Sequence, residues 1–181
     1  EVIPVVIFYA GIGGVSLGVP PRIRGSRLVT ALAIEGDELI HEAHARTHPQ
    51  IPCVHHFMEH EEVVRKLVEK FLPQKFWSRA WLHASPSCRQ ASAVNIHRNE
   101  EEAERHTRWI MGVLERMKPA CWTLEQSPTL YPAFRGQFAF VKQMKLQEFC
   151  ELPQERTRLI ASNCVLRFAW RAEPPPTVRQ A

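Results

Sequence analysis

Short apolar runs alternate along the chain with amphipathic stretches, a pattern typical of an α/β protein. Runs rich in branched apolar residues predict strands over Val2–Tyr9, Leu28–Ile34, Ala80–His83, Ala120–Leu124 and Leu159–Val165. Apolar residues at helical spacing predict helices over Asp37–Arg46, Glu61–Phe71 and Asn99–Met117. Strands that alternate with helices indicate a mostly parallel sheet with helices on both faces.

The last of these helices carries signals at both ends. Asn99 is a favoured N-cap residue, and Glu102 follows at the spacing of a capping box. Lys118 and Pro119 stop the helix at its other end. The local sequence therefore supports this element independently of the apolar pattern.

The residues that follow the predicted strands are glycine-rich or reactive. Ligands of parallel sheets bind beyond the carboxyl ends of the strands, where the loops meet. The stretches at that edge are Ala10–Gly14, Glu35, Ser85–Cys88, Glu125 and Gln154–Arg158. This ordered set is the candidate functional site.

The turn Ala10–Gly14 closes the first strand and opens a predicted helix. Glycines let the backbone approach a ligand closely and adopt positive φ, and a helix start offers free N–H groups. Glu35 ends the second strand 24 residues after Gly11. Because an acid at that position accepts the ribose hydroxyls of an adenosine-type cofactor, the pair predicts nucleotide-like binding.

A competing motif overlaps this turn. Gly14–Gly18 fits the G-x-S-x-G nucleophile elbow of α/β hydrolases. That elbow follows several strands and is preceded by its oxyanion loop, whereas Gly14–Gly18 follows the first strand. The position in the chain favours the nucleotide-binding interpretation.

Cys88 lies on a loop shaped by Pro86 and followed by Arg89. An accessible thiol near an arginine can act as a nucleophile, but the pattern of a single cysteine, taken alone, favours a small buried hydrophobe. Taken alone, Glu125 fits an ion-paired surface acid and Gln154–Arg158 a solvated edge.

Length and composition narrow the class of protein. The 181 residues, 45% of them hydrophobic, predict one compact domain over residues 1–172 and a proline-rich tail over 173–181. Five cysteines without a C-x-x-C pair favour a reducing compartment over a disulfide or zinc framework. No apolar run is long enough for a membrane span, and the start does not match a signal peptide. The net charge of +4 suits a polyanionic partner or an ordinary basic protein.

Histidines are concentrated between the second strand and the second helix. His41, His44 and His48 have helical spacing, and His55, His56 and His60 are close by. The spacing toward Cys53 and the nearby carboxylates matches no known metal site. We therefore expect solvent-facing histidines on a helix and no metal.

Five motifs together resemble those of the cytosine-5 methyltransferases. They are similar to the family's glycine signature, ribose-binding strand end, Pro-Pro-Cys loop, Glu-Asn-Val motif and Pro-Gln-x-Arg-x-Arg motif. In this chain the stretches are Phe8–Gly18, Ala33–Asp37 with Ala45–Pro49, Ser85–Cys88 with Ser92, Leu124–Ser127 and Leu152–Arg158. Their order along the chain is that of the family.

The resemblance implies an α/β fold of the Rossmann-like, S-adenosylmethionine-dependent methyltransferase type, with a mostly parallel sheet and helices on both faces. It implies S-adenosyl-L-methionine as cofactor and no metal. The residues implied to bind the cofactor are Tyr9, Ala10, Gly11, Ile12, Gly13, Gly14, Glu35 and Pro86.

The resemblance also implies methyl transfer to carbon 5 of cytosine. Cys88 would add to carbon 6 of the ring, and Glu125 would hold N3 and the exocyclic amine. Arg156 and Arg158 would orient the base oxygen and the Cys88 loop. DNA is the expected substrate, with its base flipped out of the stack, and tRNA stays open as an alternative.

Several positions depart from the family pattern. Ile7 replaces an acid, Ser87 a proline, Arg89 a glutamine, and Gln126-Ser127 the Asn-Val pair. An aspartate expected to bind adenine is absent where the sequence reads His55–Met58. The stretch between Glu125 and Gln154 is short for the family's usual helix.

The chain shows no counterpart of the family's target-recognition region or closing motif after Arg158. Either the chain is one piece of a split or truncated enzyme, completed near Val165 by a second polypeptide or a lost C-terminal half, or it is an inactive module that binds a partner or nucleic acid. Retention of Cys88, Glu125 and both arginines favours activity, with poor DNA methylation by the chain alone. We expect an intracellular protein, nuclear if eukaryotic and cytoplasmic if bacterial.

Overall fold

The computed structural model of the chain describes residues 1–23, 25–88, 91, 96–97, 99–145 and 156–166. Contacts divide the chain into two compact units, of which the first is Glu1–Pro86 with Thr107–Thr123. The second is Ser87–His106 with Leu124–Ala181. The expected boundary at residue 172 and the tail from 173 to 181 lie outside the described residues.

The first unit is built on parallel strands. Its elements are β1 (Val2–Phe8), α1 (Gly14–Gly18), β2 (Arg22–Ile23), β3 (Ser26–Glu35), α2 (Glu38–Thr47), β4 (Cys53–His55), α3 (Glu61–Phe71), a 3-10 helix (Gln74–Arg79), β5 (Trp81–Ala84), most of α4 (Glu100–Arg116) and the start of β6 (Cys121–Gln126). The strand order is β2-β3-β1-β5-β6, and β4 also pairs with β3. β1 runs parallel to β3 and β5, and β4 parallel to β3, whereas β2 is antiparallel.

β1 is a central, buried strand, as its continuous apolar run predicts. Val5, Val6, Ile7 and Phe8 are completely shielded from solvent, as expected for a parallel strand covered on both faces. The departure from the family pattern at Ile7 therefore lies in the core. On α3, Val64 and Val68 are buried one helical turn apart, as the apolar spacing predicts.

The register of the first unit brings three strand ends to one edge. Phe8 pairs with Ile34 of β3 and with Ala84 of β5. Just beyond these pairs, the N–H of Ala10 donates to the carbonyl of Ile34 at 3.0 Å, and that of Ser85 to the carbonyl of Phe8 at 3.3 Å. The loops after β1, β3 and β5 thus start at the same edge of the sheet.

The second unit contains elements that the sequence did not predict. It comprises the start of α4, the end of β6, a 3-10 turn (Pro128–Leu130), α5 (Tyr131–Phe134), β7 (Phe140–Lys145) and β8 (Thr157–Ser162), with strand order β6-β8-β7. β7 is antiparallel to β8, so the sheet is mixed. β8 also begins earlier than predicted and ends at Ser162 instead of Val165. Arg158 therefore lies within a strand and not in the segment before it.

The predicted start of α4 is confirmed by its cap. The carboxamide oxygen Oδ1 of Asn99 accepts the N–H of Glu102 at 3.1 Å. That bond satisfies one of the backbone donors that every helix start leaves free.

Candidate active site

The loop that follows β1, named here the glycine loop (Tyr9–Gly14), is held in left-handed backbone conformations. φ is +58° at Tyr9, +59° at Gly11 and +104° at Gly13. Glycine adopts such angles without the steric cost that a side chain brings. The N–H of Gly13 closes the turn by donating to the carbonyl of Ala10 at 3.2 Å. Ile12 stands at the tip with its side chain 67% exposed.

Glu35 binds the glycine loop directly. Its Oε2 accepts the N–H of Gly11 at 2.8 Å, and its Oε1 accepts the N–H of Asp37 at 2.9 Å. The residue is only 9% exposed. A carboxylate offers about four acceptor positions, so these two bonds leave capacity for the hydroxyl groups of a ligand. Burial and the nearby Glu35 carboxylate raise the pKa of the Tyr9 hydroxyl far above its usual range.

The last turn of α2 packs beneath the glycine loop. The Thr47 hydroxyl donates to the carbonyl of Ile12 at 3.2 Å, and the Ser16 hydroxyl lies 2.9 Å from Nε2 of His44. A Cβ added to Gly13 would clash with Nε2 of His48, so a side chain at this position would force the ring to shift.

The expectation of solvent-facing histidines on this helix is wrong for two of the three. His44 is fully buried and His48 is 4% exposed. They face the glycine loop and α1, where His48 lies against Gly13 and His44 contacts Ser16. Their rings are tilted at a centroid distance of 5.0 Å. Among the described residues no group of histidines, cysteines or carboxylates is arranged to hold a metal ion.

The surroundings of Ser16 do not have the geometry of a hydrolase nucleophile elbow. Ser16 lies inside α1 and does not have the positive φ of a strained elbow. Nδ1 of His44 is buried, and within the described part of the chain it has no hydrogen-bond partner. A catalytic serine–histidine pair needs an acid at that nitrogen to orient the ring. The Ser16–His44 bond is therefore a packing contact of the glycine loop.

An aromatic depression lies beside Glu35, where the sequence lacks the expected aspartate. It has a volume of about 310 Å³ and is lined by His55, His56, Phe57, Glu59, His60 and Val63. The ring of Phe57 is 63% exposed and lies against Gly36, with its edge toward His55 at 6.1 Å. Sequence reasoning missed this surface because it did not predict β4. A strand at Cys53–His55 would have placed Phe57 at the same edge as Glu35.

The Cys88 loop is fixed within the second unit. Pro86, the last residue of the first unit, is buried, and Cys88 is half-buried with a free thiol. The carbonyl of Cys88 accepts the N–H of Ala91 at 3.0 Å. The Ala91 carbonyl in turn accepts the hydroxyls of Ser127 at 3.0 Å and Thr129 at 2.8 Å. The loop is thus bound to the segment that follows Glu125. Arg89, Gln90 and Ser92 lie outside the described residues.

Glu125 and Arg158 form an ion pair inside the second unit. Nε of Arg158 donates to Oε1 of Glu125 at 2.7 Å, and the side chains are 17% (Arg158) and 27% (Glu125) exposed. A second guanidinium nitrogen donates to the carbonyl of Thr157 at 3.0 Å, which fixes the arginine plane. Arg156 is exposed just before β8, and Gln154 and Glu155 lie outside the described residues. Two of the four predicted catalytic side chains are therefore in direct contact.

Comparisons with known proteins give similarity in structure only. No protein-family model matches the chain, and no curated protein sequence matches it. A prophage-encoded E. coli protein, described as a DNA modification methyltransferase, aligns with a TM-score of 0.63 and 17% identity. A mutant of Spodoptera frugiperda DNMT2 aligns with a TM-score of 0.54 and 13% identity. S. pombe Dnmt2 methyltransferase aligns with a TM-score of 0.54 and 17% identity. These alignments cover 88%, 94% and 93% of this chain, respectively, but only 46%, 54% and 51% of those proteins.

The similarity confirms the fold predicted from the sequence. The chain has the Rossmann-like α/β fold of S-adenosylmethionine-dependent methyltransferases, with a mixed sheet and helices. It spans about half the length of these solved structures. Within the described residues, no helix is long and apolar enough to cross a membrane.

Proposed function

We propose that the chain is the catalytic part of a methyltransferase that moves a methyl group from S-adenosylmethionine to carbon 5 of cytosine through Cys88. The observation that carries the proposal is the Glu125–Arg158 ion pair in the same compact unit as Cys88. Long stretches of sequence separate these residues. A fold retained without activity has no need to keep this acid and arginine paired in the unit that carries the thiol.

The cofactor would bind to the glycine loop and Glu35. The positive φ angles of Gly11 and Gly13 bend the backbone into a turn without side chains over it, and Glu35 has acceptor capacity for ribose hydroxyls. The exposed ring of Phe57, in the depression beside Glu35, offers an aromatic face on which a purine ring could stack. When bound, S-adenosylmethionine supplies an electrophilic methyl group.

Each residue of the second unit would have a distinct chemical role. Carbon 5 of cytosine is too weak a nucleophile to take a methyl group unaided. The Cys88 thiolate forms a bond to carbon 6, and the electron pair displaced from the ring double bond makes carbon 5 nucleophilic. Glu125 stabilises the adduct through N3 and the exocyclic amine. After methylation, loss of the proton from carbon 5 breaks the sulfur–carbon bond and releases Cys88.

Arg158 would orient Glu125 and the base oxygen. Its guanidinium is held by Thr157 and Glu125, so its remaining donors have fixed directions. Arg156, exposed at the start of β8, would act on the Cys88 loop and the base oxygen.

The substrate of this proposal is DNA, with tRNA as the alternative nucleic acid. One structural neighbour is described as a DNA modification methyltransferase. Flipping a base costs a few kcal/mol, which contacts to the rest of the nucleic acid must supply. The proposal includes a complementary polypeptide that carries the recognition region and supplies these contacts.

Isothermal titration with S-adenosylmethionine separates an enzyme from an inactive methyltransferase-like module. We expect binding at one site per chain, with S-adenosylhomocysteine competing for it. Adenosine triphosphate serves as the control, since it shares adenine and ribose but lacks the amino-acid end. An absence of binding by the folded chain would contradict the proposed function and favour the module.

A further inference from the structure

Three residues in the last turn of α2 reach the glycine loop, and they are named here the α2 clamp (His44, Thr47 and His48). The hydroxyl of Thr47 binds the carbonyl of Ile12. The ring of His48 fills the space that a side chain at Gly13 would occupy. His44 meets Ser16 just after the loop, at the start of α1. The clamp thus contacts the loop at its tip and at its exit.

His44 is an unusual residue to bury at such a contact. It is completely inaccessible to solvent, and Nε2 is bonded to the Ser16 hydroxyl. Nδ1 has no partner among the described residues, whichever tautomer the ring adopts. A neutral imidazole tolerates this burial, but an imidazolium needs a second acceptor that the described surroundings do not provide.

The charged and titratable groups that face His44 disfavour a second proton on balance. His41 and His48 lie on the same helix, one turn to either side. Glu35 at the end of β3 acts in the opposite direction, while α1 contributes only the Ser16 hydroxyl. On β4, Cys53 and His55 contact His41 rather than His44. Burial, followed by His48 and His41, lowers the pKa of His44 below its usual value.

We propose that the α2 clamp holds the glycine loop in its cofactor-binding shape, and that a proton taken up by His44 releases the loop. The inference rests on the proposed function, because it concerns regulation of the same cofactor site. His44, Thr47 and His48 are positioning residues, since they act through the loop. Cofactor affinity should therefore fall as the pH drops below the range in which a free histidine is neutral.

Titration of the full chain with S-adenosylmethionine from pH 8 to pH 5.5 tests the clamp. Wild-type affinity should fall by up to about tenfold, because pH 5.5 lies about one unit below the pKa of a free histidine. His44→Phe removes the titrating ring and should make the affinity flat with pH. His44→Gln does the same and keeps a side-chain partner for Ser16, in case the first variant fails to fold. The ligand's own amino group titrates equally in all variants, so only differences between them count.

Two control variants distinguish the effect of protonating His44 from the effect of losing its contacts. Ser16→Ala removes the hydrogen bond but keeps His44, so affinity should be lower at every pH with the fall preserved. His97→Gln removes an exposed histidine outside both the clamp and the aromatic depression and should behave as wild type. Parallel pH profiles for wild type and His44→Phe would overturn the proposal.

A second readout needs no cofactor. The N–H groups of Gly13 and Leu17 close the loop and start α1. Their protection against amide exchange should decrease as the pH is lowered in wild type, but not in His44→Gln. If wild type binds no S-adenosylmethionine at pH 8, the proposed function fails. The protection factors then test the clamp independently of cofactor binding. Equal pH dependence in wild type and His44→Gln would contradict the clamp.

Discussion

Arg158 donates from Nε to Oε1 of Glu125 over 2.7 Å, with both side chains largely shielded from solvent. Glu125→Gln keeps the shape of the acid but removes the charge that Arg158 faces. We expect methyl transfer to fall about 100-fold or more, the range for losing a proton-handling group. The free energy of unfolding should fall by about 1–3 kcal/mol, because a charged donor loses its ionic partner.

The matched control for this change is Glu62→Gln. Glu62 pairs with Lys66 at 2.9 Å, but both side chains are more than two-thirds exposed. Stability should hardly change, because the exposed pair is screened by solvent, and methyl transfer should be unaltered. Urea unfolding and a single-turnover methylation assay measure both quantities. Equal effects of the two substitutions would remove any special role from Glu125.

Glu35→Gln tests the cofactor-binding half of the account. An amide has only one oxygen, so it cannot accept both the N–H of Gly11 and the N–H of Asp37. We expect S-adenosylmethionine to bind about 1–3 kcal/mol more weakly, as when a charge-assisted hydrogen bond is lost. Glu38→Gln, on the exposed first turn of α2, is the control and should leave the affinity unchanged. Unaltered affinity in Glu35→Gln would place the ribose elsewhere.

Gly13→Ala tests the packing under the glycine loop. Both Gly13 and Gly25 have positive φ, but a Cβ meets His48 at Gly13 and nothing within 4 Å at Gly25. Gly25→Ala should therefore lower the free energy of unfolding by about 1 kcal/mol through backbone strain alone. Gly13→Ala should cost a further 1–3 kcal/mol or so from overpacking. Equal losses in urea unfolding would mean that His48 moves aside freely.

His83 gives the first unit a pH-dependent stability. Its Nδ1 lies 2.8 Å from the Thr123 hydroxyl, and Nε2 is buried with no partner among the described residues. Burial lowers the pKa of His83 to about 4. The unfolded chain takes up the proton first, so stability is constant above about pH 6.5 and declines between there and pH 4. The full loss is about 3 kcal/mol.

Denaturant unfolding across this pH range checks the prediction. His83→Gln keeps an acceptor for Thr123 without a titrating ring, so its stability should decline less with falling pH. His97→Gln, at an exposed position, is the control and should follow wild type. If His83→Gln declines as steeply as wild type, another group accounts for the acid sensitivity.

The central strands could be predicted because burial on both faces requires continuous apolar sequence. Four consecutive apolar residues such as Val5–Phe8 fit only a strand that is buried on both faces. The ends of the predicted strands then indicated Glu35 and the glycine turn as site residues. β4 and β7 were missed for the opposite reason. Cys53–His55 is too short to show a period, and β7 buries only Phe140 and Met144 among polar residues.

The histidines show what sequence pattern alone leaves undetermined. Helical spacing of His41, His44 and His48 indicates a shared face but not whether that face is covered. That face is covered by the glycine loop and α1, through contacts between residues far apart in the sequence. Tertiary contacts of this kind decided that His44 is buried, and local sequence carried no signal of them.

Covalent trapping tests the central claim most directly. An oligonucleotide with 5-fluorocytosine at its cytosine positions, supplied as DNA and as RNA, is incubated with the chain and S-adenosylmethionine. Fluorine cannot leave carbon 5 as a proton does, so the sulfur–carbon bond at carbon 6 persists after methyl transfer. Peptide mass spectrometry should find the methylated adduct on Cys88. It should be absent in Cys88→Ala and retained in Cys121→Ala, which replaces a half-buried cysteine of the other unit. An adduct on another residue, or none when both ligands bind, would contradict the account.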